Sequence, residues 1–158
     1  MDIQKLNKFH LFLVLTCAYA ISLFYLSSGS SIAPLSEPGF LFGLVHFLED
    51  LGIKKLLYPF SLVYLYPDKF AHVILYLGFG LLLYQTVKRS KNGVLSNHAA
   101  LLSVLLGALF AITDEVHQAF VLYRTASSMD LVADVAGLLF AQLLILLYIG
   151  INRLLKSS

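Results

Sequence analysis

Charge is scarce in this chain. Only 13% of its 158 residues are Asp, Glu, Lys or Arg, and no long polar segment interrupts a composition that is 59% hydrophobic with a mean hydropathy of +0.83. A soluble domain of that make-up would expose more apolar surface than water tolerates, so lipid is the expected solvent. One cysteine, Cys17, excludes an intrachain disulfide and leaves the redox compartment unmarked. Lying inside the first apolar run, it reads as core filler. A net charge of +2 with no basic, aromatic-interleaved stripe argues against a nucleic-acid partner. There is no cofactor box, internal repeat or low-complexity tract, so one integral membrane domain over residues 1–158 is expected. Proline is confined too: Pro34, Pro38, Pro59 and Pro67 all lie between residues 30 and 69.

Outside that segment the chain is long apolar runs. Residues 9–29 form an uncharged run of 21 behind Lys5 and Lys8. At about 1.5 Å per residue this crosses a bilayer core of roughly 30 Å. A cleaved signal peptide ending near Ser27-Ser28-Gly29 is the rival reading, but signal cores run to only about 7–15 apolar residues, so a retained span is expected. A second span covers 68–87, opened by Pro67-Asp68 and closed by Lys88, Arg89 and Lys91 before the turn signal Asn92-Gly93. A third covers 97–120 and a fourth 130–151. The expected fold is therefore all-α and polytopic, with four transmembrane helices. Between the first two, Phe40, Leu44, Phe47, Leu48 and Leu51 follow helical spacing while His46, Glu49 and Asp50 fall off that face. Residues 56–66 are too short for a span, so an interfacial or re-entrant helical segment is expected there.

The scarce charges are not scattered. Residues 114–137 hold four of the nine acidic side chains, with His117, Gln118 and Arg124. An ionisable group in hydrocarbon costs roughly 2.5–3.5 kcal/mol on the insertion scale, so such groups need partners or work. On helical wheels Gly107, Ala111, Asp114 and Gln118 share a face, small residues first and polar ones last. The fourth span inverts the order with Asp130, Asp134, Gly137 and Ala141, while Asp68, Lys69, His72 and Tyr76 share one side of the second. Four spans put both termini on one side, with seven bases (Lys5, Lys8, Lys88, Arg89, Lys91, Arg153, Lys156) against four opposite (Lys54, Lys55, Lys69, Arg124). The positive-inside rule makes the termini cytoplasmic and places the acidic cluster in the outer half of the inner membrane.

Asp68-Lys69-x-x-His72 followed by Tyr76, then Asp114-Glu115-x-x-Gln118-x-Phe120, then Arg124, Asp130 and Gly137, resemble the VanZ-like membrane family over residues 67–142. The ordered set on three spans carries the resemblance. It implies an envelope-associated membrane protein linked to reduced sensitivity to teicoplanin, a lipid-tailed glycopeptide, and it supplies no reaction. The chain departs from the family pattern where Asp134 replaces the usual asparagine, which changes the charge of the site. Val121-Leu122-Tyr123 also replaces the Pro-Gly common ahead of the arginine, which changes the turn.

The residues themselves admit three uses. Lys69 and Arg124 supply donors for a phosphate or carboxylate, Arg124 with the better fork, while Asp68, His72, Tyr76, Asp114, Glu115, Gln118, Asp130 and Asp134 complete a pocket on the second to fourth spans. Its partners would be membrane lipids and a lipid-linked envelope intermediate or a lipoglycopeptide. The same side chains equally make a buried network that fixes how three helices pack. As an enzyme, a metal-assisted hydrolase or transferase would draw on the four carboxylates with His72 or His117. Asp114-x-x-His117 is suggestive, but the second acid-x-x-His of di-iron bundles is absent and His117 points about 80° off the Asp114 face. Ser127 and Ser128 offer a hydroxyl with no histidine placed against either, and no resident cofactor is expected. His10, His46 and His98 sit at interfaces.

The topology is tested by reporter fusions after Lys91 and after Arg124. The first should read cytoplasmic and the second external; a cytoplasmic signal from the second overturns the orientation.

Overall fold

The structure, a computed structural model, describes residues 3–28, 66–122 and 125–157, the first five of these by backbone only. Within them the chain is helical: α1 (Ile3–Ser28), α2 (Pro67–Lys88), a short α3 (Gly93–Asn97), α4 (Ala99–Gln118) and α5 (Ser128–Ser157). No strand occurs among the described residues. Four of the helices are long and apolar enough to cross a membrane. The segment expected to lie in the interface, and Arg124, fall outside the described residues.

Local chemistry explains the helix ends. Pro67 opens α2, where its missing N–H is no loss, and Phe70 N–H reaches the Tyr66 carbonyl at 3.1 Å. The expected third span, 97–120, is α4, preceded by the separate short helix α3. Asn92 caps α3 by accepting from the Val94 and Leu95 amides at 2.9 and 3.4 Å, and the His98 N–H closes that turn on the Val94 carbonyl. His98 then sits at φ −102° and ψ 22° as the chain re-enters helix at Ala99. At the far end Phe120 bonds the His117 carbonyl and Val121 that of Gln118, both i→i−3, so α4 stops at Gln118. Helix α5 begins two residues before Asp130, because the Ser127 carbonyl accepts from both the Asp130 and Leu131 amides.

Contacts fix the directions. Helices α2 and α5 run parallel and form the most extensive interface, while α1 lies antiparallel to α2 and α4 antiparallel to α5. Small residues set the approach of α2 and α5. A Cβ on Gly137 would overlap the Val73 carbonyl and lie 2.9 Å from the Leu77 nitrogen, and a Cβ on Gly80 would lie 2.8 Å from the Ala141 methyl. In lipid, close packing of this kind drives helix association, because lipid tails are as apolar as leucine. Leu138 then fills the space over Gly107 of α4 and is fully buried. Helix α1 docks through Tyr19, whose hydroxyl donates to the Leu75 carbonyl at 3.0 Å and whose ring stacks on Phe79. Lower down, Thr16 and Thr86 share a 2.8 Å hydroxyl bond. The apolar periphery is exposed, with Leu101, Leu105, Leu109, Ile112 and Val116 along α4 each 47–60% accessible. Polar side chains are inside and leucines outside, as a hydrocarbon solvent dictates.

Gly137→Val should therefore separate α2 from α5. Overpacking of this sort costs about 1–3 kcal/mol, and backbone atoms cannot yield as a side chain can. In detergent the melting temperature should fall by several degrees, whereas Gly150→Ala, with nothing near its added methyl, should leave it unchanged. Equal melting temperatures for the two variants would contradict the packing.

Candidate functional site

The polar residues gather where α1 and α4 end and α2 and α5 begin. Two cross-helix pairs stand one turn apart between the parallel helices α2 and α5. Lys69 Nζ donates to Asp130 Oδ1 and is also 2.8 Å from Asp68 Oδ2. One turn deeper, His72 Nδ1 and Asp134 Oδ1 share a hydrogen bond of 2.8 Å, with Asp134 wholly buried. The following turns carry no charge: Tyr76 meets Gly137, and Gly80 meets Ala141. Steps of three or four residues on both helices keep all four contacts in one seam, which changes from ionic to close-packed with depth.

Helix α4 adds a second polar face. Asp114 Oδ2 accepts from the Gln118 amide at 3.1 Å, one turn along the same helix. Glu115 Oε2 accepts from the Ser127 N–H at 2.7 Å, tying the end of α4 to the start of α5. His117 leaves this face and packs on α1, its Nε2 2.9 Å from Ser28 Oγ and its ring stacked on Phe24. It is thus a packing histidine, as its wheel position implied.

A small cleft lies between α1, α2 and α4. Its walls are Leu23, Leu26 and Leu75, with Ser27, His72, Tyr76, Asp114 and Gln118 as its polar lining, and it admits a water-sized sphere over ≈ 20 Å³. That is room for one water or one small polar group. The third wall is α1, not the fourth span: Asp130 and Asp134 are not among the lining residues, and they hold Lys69 and His72 beside it. Lys69 and Glu115 are likewise outside the lining, and Asp68 has a 60% exposed side chain at the rim. Ser27 escapes sequence reading because it closes an oily run, where a serine reads as a span end or a cleavage site. Its burial at 5% exposure is set by α1 docking on α2 and α4.

The site is rich in unused acceptors. Ser27 Oγ, Tyr76 OH, Asp114 Oδ1, Glu115 Oε1, Gln118 Oε1 and Asp134 Oδ2 are all buried without a hydrogen-bond partner. A buried unsatisfied polar atom costs about 1–3 kcal/mol, so six at one end of a small bundle are a feature to be explained. The charges are unbalanced as well. Among the described residues five carboxylates (Asp68, Asp114, Glu115, Asp130, Asp134) face Lys69 and His72, and Asp114 and Glu115 belong to no ion pair. No three His, Asp, Glu or Cys side chains among the described residues converge as a metal-ligand group.

Residues 10–149 match the sequence model of the VanZ/LLP1 family, and the chain belongs to that family. No curated protein and no solved structure matches it.

Proposed function

We propose that this VanZ/LLP1-family membrane protein binds the polar head of a lipid-tailed envelope molecule in a recess facing the outer side of the cell membrane. The ligand class is a lipid-linked envelope intermediate or a lipoglycopeptide such as teicoplanin, and reduced teicoplanin sensitivity would follow from capture of the drug. The single observation that carries this reading is the set of unpaired, buried oxygens at the Asp68 end of the bundle. Hydroxyls, amides and amines of a glycan or peptide head supply the donors those oxygens lack. An acyl tail would lie along exposed leucines such as Leu105 and Leu109 of α4. Since Lys69 is engaged by Asp68 and Asp130, an anionic group on the ligand falls to Arg124. The seven bases at the opposite end of the spans support the orientation.

One observation favours a second reading, hydrolysis or group transfer on the same class of molecule. Buried Asp134 holds His72 through Nδ1, leaving Nε2 as the ring atom available for proton transfer in the cleft that His72 lines. A base oriented by a third group is the arrangement by which enzymes activate a nucleophile.

Binding of a fluorescent lipoglycopeptide to the purified protein separates these readings from a purely structural network. Arg124→Gln and Gln118→Leu should weaken binding at least ten-fold while the melting temperature stays within a few degrees. Gln142→Leu, at a buried polar site deeper in the bundle, should leave binding unchanged. Unaltered binding in both site variants would sink the proposal. Product release from a lipid-linked substrate, lost in His72→Ala, would convert it to the enzymatic reading.

A further inference from the structure

The cleft is more specific than the recess around it. Four of the unpaired oxygens, Ser27 Oγ, Tyr76 OH, Asp114 Oδ1 and Gln118 Oε1, belong to residues that line this one small space. Tyr76 and Gln118 are 2% and 1% exposed, so neither atom can turn to solvent or headgroup water. One water could satisfy all four, taking bonds from the two hydroxyls and giving two to Asp114 and Gln118. Water would leave Asp114 without a countercharge from the described residues. Among the described residues its other oxygen receives the neutral Gln118 amide, and Lys69 and His72 are committed to Asp68, Asp130 and Asp134. A buried carboxylate needs a countercharge.

We infer that the cleft formed by Ser27, Tyr76, Asp114 and Gln118 is a binding site for a primary ammonium group. The –NH3+ group of a primary amine is about the size of one water, carries one positive charge and presents three donors with no acceptor. Those donors go to Asp114 Oδ1, Gln118 Oε1 and one of the two hydroxyl oxygens. The carboxylate then has a countercharge, and three of the four unpaired oxygens have a donor. A trimethylammonium carries the same charge but has no N–H and is several times the size of the one water this space admits. An N-acylated amine keeps one donor and loses the charge. The inference rests on the proposed binding of an amphiphile and narrows it: the head would be recognised by a free amine, whether that of a lipid headgroup or of a soluble amine.

Two pairs of probes test it on the whole protein in detergent. The first is methylammonium against tetramethylammonium chloride at equal ionic strength, read as a shift in melting temperature. The second is short-chain phosphatidylethanolamine against its phosphatidylcholine and N-acetyl counterparts, read as apparent affinity. Methylammonium should stabilise saturably, and phosphatidylethanolamine should bind at least ten-fold more tightly than either counterpart. A preference in the lipid pair alone identifies the headgroup as the source of the amine, and one in both pairs shows that the free amine suffices. Asp114→Asn should abolish the preference. Ser27→Ala, at the end of α1 where folding is least at risk, should reduce it several-fold. No preference in either pair, or a preference that survives Asp114→Asn, overturns the inference. Lipoglycopeptide binding that is indifferent to N-acetylation leaves the proposed function standing and removes the ammonium site. Methylammonium binding with no amphiphile bound does the reverse.

Discussion

The structure depends on a seam between two parallel helices that changes character with depth. At the membrane-surface end Lys69 and His72 of α2 reach Asp130 and Asp134 of α5; two turns deeper the same seam is Gly137 under Val73 and Gly80 against Ala141. Each half constrains the other. The small residues bring the backbones close enough for short polar contacts, and the ionic contacts forbid the one-turn slip that a uniform small-residue seam would allow. In hydrocarbon such a slip would strand charges without partners, a larger penalty than any packing change.

From this seam the rest is placed. Helix α4 leans on Leu138 through Gly107 and presents Asp114, Glu115 and Gln118 to the same level. Glu115 pins the start of α5 through the Ser127 amide. Helix α1 covers the remaining side with Tyr19 and Leu23 and closes the cleft with Ser27. The outcome is a bundle whose inner surface runs from ionic to uncharged and whose outer surface is mostly apolar side chains. Among the described residues its polar end holds more acceptors than donors to satisfy them, so its chemistry is that of a site awaiting donors. That surplus supports binding of an amine-bearing or hydroxyl-rich head over recognition of an anion by Lys69.

Much of this was legible in the sequence, because hydrocarbon enforces simple rules. Length and hydropathy marked the four long helices, and in lipid the polar positions had to share faces, which aligned Asp114 with Gln118 and Asp130 with Asp134. What wheels do not reveal is which neighbour a face meets. They placed Lys69 near acidic residues but could not choose Asp130 over Asp114, a choice made by the α2–α5 crossing at Gly137. The part played by α1 was hidden as well, since nothing in its even hydrophobicity marks Ser27 as buried. The break at His98 has no proline or glycine at its centre; it arises from the cap that Asn92 provides and the turn that the His98 amide closes.

Charge reversal across the seam tests the central claim most directly. Lys69→Asp and Asp130→Lys should each lower the melting temperature by several degrees, by placing like charges together at a partly buried position. The double reversal, which restores opposite charges across the same contact, should recover at least half of the combined loss. If the double variant is as unstable as the sum of the single ones, Lys69 and Asp130 do not set the register of α2 against α5, and the account built on that seam is wrong.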